Sequence, residues 1–202
     1  MQRVAPADGF FVRLKGVLRP LPNRVATPEG LRSAGVLVPL RARGDEVTVV
    51  LARRTEQVPH HKGQICFPGG SRDPGDADLL ETALREAEEE LGIRRDDAEI
   101  LGTMDPVVTV TGFCIQPFVA NVSAVTGFSL DEFEVAEVFE APLPIFAEFD
   151  RYRYAEAMFR GERNRVYFFD YGPHTIWGAT ARMLKQLTDL ICSEEKRGSK
   201  NI

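Results

Sequence analysis

The 202-residue sequence has only three cysteines, Cys66, Cys114 and Cys192, which lie far apart in the chain. An odd number of scattered cysteines, without a CxxC pair, does not provide a disulfide framework. This pattern is typical of proteins in a reducing compartment, where thiols stay free. We therefore expect a cytoplasmic protein with buried thiols.

Long hydrophobic runs and an excess of positive charge are also missing. No stretch reaches the roughly 18 consecutive apolar residues of a membrane-spanning helix, so no membrane span is expected. The N-terminal MQRVAPADGFFVRLKG has no apolar stretch long enough for a signal peptide. The formal net charge of −5 gives no general attraction to nucleic acids, and we expect no nucleic-acid partner.

Strand and helix patterns alternate along the chain, which contains neither repeats nor low-complexity segments. Apolar and β-branched runs predict strands at 33–40, 46–54, 63–70, 107–122 and 134–143, and a hairpin around Gly161. An amphipathic pattern predicts a C-terminal helix over 175–192, with Thr175 as its N-cap. With 44% hydrophobic residues, the chain has enough apolar side chains for one domain of the α/β or α+β class.

A strongly acidic helix is predicted in the middle of the chain. Asp78 is its expected N-cap and Gly92 its expected C-terminal cap. Between these caps an apolar stripe repeats at helical spacing and can face a core; its members are Leu80, Leu84, Ala87 and Leu91. The helix should therefore begin at residue 79.

Three carboxylates of this helix converge on one edge, although like charges one turn apart repel each other. They belong to Glu86, Glu89 and Glu90, whereas Glu88 points elsewhere. Arg85 is placed to pair with Glu89. Clusters of oxygen ligands suit hard divalent cations such as Mg²⁺ or Mn²⁺. The alternative for an acidic helix taken alone is an ordinary solvated face or an interaction surface.

The residues around the helix resemble the Nudix box, G-x5-E-x7-R-E-U-x-E-E-x-G-U, in which U is a bulky apolar residue. The matching positions are Arg85, Glu86, Glu89, Glu90, Gly92 and Ile93. Counting back from Arg85 places the leading glycine of the box at Ser71, so Gly70 is one residue too far away. The first glutamate of the box would fall at Ala77, which leaves Asp76 and Glu81 as alternative sources of that carboxylate.

A longer segment, LARRTEQVPHHKGQICFPGGSRDPGD, resembles the coenzyme A pyrophosphatase branch of the Nudix hydrolases. That branch has H-x-G-Q and F-P-G-G before a lengthened loop, which accounts for the extra residue after Gly70. EVAEVFEAPL and IWGATARML are also similar to it. The resemblance covers a core of about 33–190 within a single domain of 1–202, and leaves an N-terminal extension of about 1–30.

The resemblance implies a Nudix fold, a mixed β-sheet sandwiched between helices with a loop–helix–loop catalytic motif. It implies hydrolysis of the diphosphate of coenzyme A or a derivative, to 3′,5′-ADP and 4′-phosphopantetheine or its acyl form, with Mg²⁺ or Mn²⁺ as cofactor. Glu86 and Glu90 would bind the metal, Glu89 would add a ligand or order a water, and Gly70 would add a backbone carbonyl. Glu134 and Glu137 are candidates for a base or further ligand; the alternative is ordinary strand-edge charge.

The basic segment before the glycine turn supplies the candidate substrate contacts. Arginine and lysine are the usual phosphate-binding side chains. The candidates are Arg53, Arg54, His61, Lys62, Gln64, Gly69 and Gly70; the alternative for the charged ones is a solvated basic loop.

Two other functions remain open at this point, and the sequence leaves the oligomeric state open as well. One is a Nudix hydrolase for another nucleoside diphosphate, such as ADP-ribose or a dinucleotide. The other is a non-catalytic nucleotide-binding Nudix module, against which the presence of Glu86, Glu89 and Glu90 argues.

Overall fold

The computed structural model describes residues 7–21 and 26–198 of the chain. Three helices lie in this part: α1 (Ala7–Val17), α2 (Leu79–Leu91) and α3 (Gly178–Gly198). The first strands are β1 (Arg32–Arg43), β2 (Glu46–Arg54), β3 (Ile65–Cys66), β4 (Gly69–Ser71), β5 (Glu99–Thr103) and β6 (Val107–Val108). They are followed by β7 (Phe113–Asn121), β8 (Val135–Pro142), β9 (Arg153–Phe159), β10 (Glu162–Tyr171) and β11 (His174–Trp177).

The first eight strands form one mixed sheet, in which β1 is parallel to β7 and antiparallel to β2 and β4. Strand β2 also pairs with β3 and with β8. Strands β1 and β2 pair only near the hairpin at Gly44–Asp45. Beyond this point the two strands diverge. Residues 65–71 lie between them, with β3 paired to β2 and β4 paired to β1.

Helices cover both faces of this sheet, because the alternating side chains of β1 and β2 are apolar on both sides. Helix α2 packs on the face that presents Leu37 and Val50. Helices α1 and α3 pack on the opposite face, where Val38 and Leu51 lie. The mixed fold between helices that the sequence predicted is therefore confirmed.

Helix α2 has the limits that its caps predicted. The Asp78 carboxylate accepts hydrogen bonds from the backbone N–H groups of Leu80 and Glu81, which satisfies two groups that the helix itself leaves free. Gly92 ends the helix in a left-handed conformation with φ 68°. These two caps fix the position of the acidic side chains along the chain.

Gly35 of β1 allows α2 to lie directly against the sheet. A Cβ atom at this position would overlap the carbonyl oxygen of Leu79 and would lie 3.1 Å from the backbone nitrogen of Ala83. Only glycine leaves room for this contact between helix and strand backbones. The first turn of α2 is therefore held at a fixed height above β1.

The C-terminal segment departs from the prediction. Thr175, the predicted N-cap, lies in β11, and α3 begins only at Gly178. Ile176 pairs with Phe169 of β10 and is fully buried in the sheet. A single apolar residue before a helix fits a strand and a helix equally well, so the predicted helix began too early.

The predicted strand at 63–70 is two short strands, because β3 pairs with β2 whereas β4 pairs with β1. Strand β5 was not predicted. The hairpin predicted around Gly161 is formed by β9 and β10. None of the helices in the described part of the chain is long and apolar enough to cross a membrane.

Candidate active site

Two glycines form the floor of the site where β4 joins the sheet. Gly69 and Gly70 pair with Val36 and Gly35 of β1. A Cβ atom on Gly70 would overlap the carboxylate of Glu86, and one on Gly69 would meet the backbone of β1. The absence of side chains at this turn therefore lets a helix carboxylate lie directly against backbone.

Glu86 and Glu90 extend from one edge of α2 toward this floor. Glu90 is 3% exposed, and one of its oxygens accepts a hydrogen bond from the Gly69 N–H at 3.2 Å. Burial raises the pKa of Glu90 to about 7, and the neighbouring Glu86 carboxylate adds to this effect. Burial also raises the pKa of Glu86. Both carboxylates are thus partly dehydrated, and each has one arginine beside it: the Nη1 of Arg85 lies 2.9 Å from Glu86, and Arg54 lies against Glu90.

Glu89 lies at the edge of this pair and is 59% exposed. Its oxygen lies 2.9 Å from the Nη1 of Arg85, the partner that the sequence predicted, and the same nitrogen lies 2.9 Å from Glu86. Glu88 is exposed, as expected for a residue outside the cluster. Of the three convergent glutamates, two lie at the floor and one at the rim.

Arg54 connects the cluster to the segment before β8. Its Nη1 donates to Glu90 at 3.2 Å, and its Nη2 donates to Glu134 at 3.0 Å. Its buried Nε has no hydrogen-bond partner among the described residues. Burial raises the pKa of the nearby Cys66 thiol to about 12, which disfavours the thiolate form that a nucleophile needs. The structure thus gives Arg54, a candidate substrate contact, two carboxylate partners.

Arg53 and Glu137 lie on the opposite face of the sheet. They are cross-strand neighbours, and the Nε of Arg53 donates to Glu137 at 3.1 Å. Glu137 also lies 3.7 Å from the Nε2 of His174. The structure therefore brings Glu134 to the acidic cluster but leaves Glu137 and Arg53 outside it.

Asp76, one of the two alternatives that the sequence left open, makes a two-point contact with Arg85. Arg85 donates to it through Nε at 3.0 Å and Nη2 at 3.2 Å, and Thr82 Oγ1 donates at 2.8 Å. The hydrogen bonds from Arg85 lower the pKa of Asp76 to about 2. Glu81 instead pairs with Arg95 at the surface. Asp76 thus holds the base of the lengthened loop against α2.

The segment between β2 and β3 forms a closed loop beside the floor. The Arg54 N–H donates to the Gln64 carbonyl at 3.0 Å, and the Gly63 N–H donates to the Thr55 carbonyl at 3.3 Å. His61 and Lys62 are exposed on this loop, and the Nδ1 of His61 lies 2.9 Å from the side-chain oxygen of Gln64. The loop therefore presents basic side chains from a fixed base.

The floor has the chemistry that a divalent cation requires. Two partly dehydrated carboxylates next to a backbone turn form an oxygen-only donor set, which suits Mg²⁺ or Mn²⁺. Among the residues that the structure describes, no three His, Cys, Asp or Glu side chains are already gathered as ligands. Arg54 lies against Glu90, and Glu89 faces Arg85. The donor set fits the cation, although these side chains must still adjust to enclose it.

Without divalent cations, Glu90→Gln is expected to make the protein more stable at pH 8. The folded pKa of Glu90, about 7, exceeds its ordinary value of 4.5. A raised pKa stabilises the fold fully below about pH 4.5, and this contribution is lost as the pH rises through about 7. At pH 8 the free energy of unfolding should rise by about 1–3 kcal/mol. Urea unfolding in EDTA at pH 5 and pH 8 measures it, with Glu88→Gln as the control. An equal effect at both pH values would contradict this account.

The comparison with protein families decides the identity of this site. The family described as NUDIX domain matches residues 31–165, which is well over half of the chain. The chain belongs to the Nudix family. Nudix hydrolases generally use divalent metal ions such as Mg²⁺ or Mn²⁺.

Relatives and solved structures agree with this family. A protein from Photorhabdus laumondii named "Uncharacterized Nudix hydrolase NudL" is 36% identical over 90% of this chain and 96% of its own length. The protein of the same name from Pectobacterium atrosepticum is 38% identical over 88% of each chain. The crystal structure of a MutT/nudix family protein from Enterococcus faecalis matches with a TM-score of 0.54 and 15% identity over 94% of this chain and 71% of its own. The crystal structure of a NUDIX hydrolase from Alicyclobacillus acidocaldarius matches with a TM-score of 0.53 and 18% identity over 81% of this chain and 93% of its own. Both structures share the fold.

Proposed function

We propose that this Nudix family member hydrolyses the diphosphate bond of coenzyme A or a derivative, giving 3′,5′-ADP and 4′-phosphopantetheine or its acyl form. The observation that carries the proposal is the pair Glu86 and Glu90, dehydrated and held against the glycine floor. A diphosphate brings several negative charges, and this pair cannot receive it without a divalent cation. The H-x-G-Q and F-P-G-G segments beside the floor support coenzyme A as the substrate.

Glu86 and Glu90, together with the Gly70 carbonyl, are the residues that would hold Mg²⁺ or Mn²⁺. The bound cation supplies neutralisation of the charge on the phosphate oxygens. Glu89 lies at the rim, where Arg85 orients it, and would accept a proton from the attacking water or add a ligand. Glu134 is held by Arg54 beside Glu90 and would orient groups on the other side of the cluster.

Substrate phosphates would be met by the loop between β2 and β3 and by the backbone of the floor. His61 and Lys62 are exposed there, and Gln64 orients the His61 ring. The N–H of Gly69 already donates to the carboxylate of Glu90. The first role of this turn is therefore to hold the proposed metal ligands in place. Lys62 is the side chain that we propose for the 3′-phosphate of coenzyme A.

We further propose that residues 1–202 form a single domain. Phe11 and Leu14 of α1 belong to the same buried cluster as Leu184 and Leu187 of α3. The N-terminal helix therefore packs as part of the core rather than as a separate unit.

Hydrolysis is expected to require a divalent cation. The rate should fall at least about tenfold in excess EDTA, because the buried carboxylates would then repel the substrate's phosphates. Mg²⁺ or Mn²⁺, added in excess of the chelator, should restore it. The measurement is product formation with each ion, resolved by chromatography. Turnover at the full rate in EDTA would contradict the metal site.

Coenzyme A is expected to be hydrolysed with a kcat/KM about tenfold to a hundredfold above that of its 3′-dephospho form. A charge-assisted contact to the 3′-phosphate should contribute about 1.5–3 kcal/mol. Lys62→Gln should reduce this preference and leave the 3′-dephospho substrate almost unaffected. The matched control is Arg95→Gln, whose side chain pairs with Glu81 at the surface.

The same assay separates the proposal from its alternatives. Equal values for the two substrates would remove the 3′-phosphate contact from the proposal. Faster hydrolysis of ADP-ribose or a dinucleotide would assign the protein to another nucleoside diphosphate. A folded protein that binds these compounds and cleaves none would be a non-catalytic Nudix module.

A further inference from the structure

A second sheet packs into the core through Phe169 and Ile176 and ends in an exposed strand. Its strand order is β11-β10-β9, so β9 is an edge. Strands β9 and β10 are joined by a two-residue turn in which Arg160 has φ 53° and Gly161 has φ 80°. Positive φ at both central residues defines a type I′ turn, which matches the twist of the flanking strands.

The turn determines which backbone groups of β9 point outward. Phe159 and Glu162 flank it and therefore form a hydrogen-bonded pair. Such pairs alternate with non-hydrogen-bonded pairs along an antiparallel ladder. The residues of β9 in the non-bonded pairs are Tyr154, Glu156 and Met158. Their N–H and C=O groups point away from β10, where no strand of the described part of the chain pairs with them.

The side chains at this edge do not protect it from association. Tyr154 is 55% exposed and Met158 is 66% exposed, and both lie on the same face of β9, on either side of Glu156. Proteins usually block an exposed edge with charged side chains, lysine above all, with proline or with a bulge. Strand β9 has neither lysine nor proline and pairs with β10 without a register shift. Its two charged side chains, Arg153 and Glu156, are both paired with residues of β10.

We propose that β9 pairs in antiparallel orientation with β9 of a second copy of this chain, about a two-fold axis at Glu156. In this register Tyr154 of each copy lies opposite Met158 of the other, and Glu156 lies opposite itself. All three positions have outward backbone groups, so each pair exchanges both of its hydrogen bonds. The two sheets then form one continuous sheet across the dimer.

The side chains are complementary to themselves in this register. An aromatic ring meets a thioether in both Tyr154–Met158 contacts, which is a favourable pairing. The two Glu156 carboxylates repel, but Arg165 lies opposite Glu156 on β10, and the Nη1 of Arg163 lies 3.4 Å from it. On the other face of the sheet, Arg153 of one copy lies opposite Phe159 of the other, which permits a cation–π contact. These pairings are the reason for proposing a second copy of the chain as the partner of β9.

The first experiment is sedimentation equilibrium of the full chain over a concentration series. The expected species at tens of micromolar has twice the 22.5 kDa mass of one chain. Met158→Lys should weaken the dimer at least about tenfold, because it places lysine at the edge. The control is Val12→Lys, a change at a residue of α1 that is 74% exposed. A wild-type monomer throughout, or a dimer unaffected by Met158→Lys, would overturn the proposal.

A disulfide experiment tests the register itself. Glu156→Cys places one thiol opposite its own copy, at the spacing of about 5.5 Å that a hydrogen-bonded pair has between Cα atoms. Mild oxidation should then link two chains. Tyr154→Cys alone should not form the link, whereas Tyr154→Cys with Met158→Cys should. Wild type controls for the native cysteines, and circular dichroism verifies folding. No disulfide at position 156 in a folded variant would overturn the register.

Discussion

Glu90→Gln and Glu86→Gln are each expected to lower kcat by at least about 100-fold. Both side chains lie at the floor of the site, and Glu90 additionally accepts the Gly69 N–H. Glutamine keeps the shape but removes the charge that would hold a divalent cation. The loss should appear in kcat, since the charge is needed most when negative charge develops on the phosphate oxygens. Steady-state kinetics at saturating Mg²⁺ measures it.

Glu88→Gln is the matched control, because Glu88 lies on the same helix and is exposed. It should retain nearly the full kcat. Circular dichroism should show the same helical content for all three variants. A loss in Glu88→Gln as large as that in Glu86→Gln would mean that the acidic cluster does not lie where the structure places it.

Gly35→Ala is expected to destabilise the fold by about 3 kcal/mol. Its methyl group would overlap the Leu79 carbonyl oxygen, so β1 or the first turn of α2 must move. Neither can yield as a flexible side chain would, because both contacts are backbone. Since α2 also carries Glu86 and Glu90, activity should fall in the fraction that stays folded. Urea unfolding monitored by circular dichroism measures the free energy of unfolding.

Gly75→Ala is the control for this substitution. A Cβ atom at Gly75 would meet no atom within 4 Å, and the residue lies in the lengthened loop close to the same helix. Its free energy of unfolding should be close to that of the wild type. If Gly35→Ala proves equally harmless, α2 does not lie as close to β1 as described.

Local sequence signals were sufficient to predict the acidic helix. Asp78 and Gly92 act on backbone groups within a few residues of themselves, so the chain around them determines where α2 begins and ends. The edge shared by Glu86 and Glu90 follows from helical spacing alone. The first strands were predictable for the same reason, because alternating or continuous apolar runs and a Gly-Asp turn are local features.

Contacts between distant residues were not predictable. Arg53 and Arg54 are adjacent and look equivalent in the sequence, yet β2 presents them on opposite faces, and the pairing of β2 with β8 shifts register between them. Glu134 and Glu137 are separated in the same way. No local pattern indicates which arginine meets Glu90, which lies 36 residues away. That Asp76 contacts Arg85 whereas Glu81 pairs with Arg95 likewise depends on how the loop folds back onto the helix.

The closed base of the loop between β2 and β3 has a practical consequence for redesign. Its ends are joined by the hydrogen bonds from Arg54 to Gln64 and from Gly63 to Thr55, so the sheet fixes both ends. The residues in between can change in length and composition while Arg54 and the glycine floor stay in place. If this loop contacts the substrate as we propose, substrate choice and bond cleavage depend on separable parts of the chain. A library of grafted loops would then vary the substrate contacts while the carboxylates and the glycine floor stay the same.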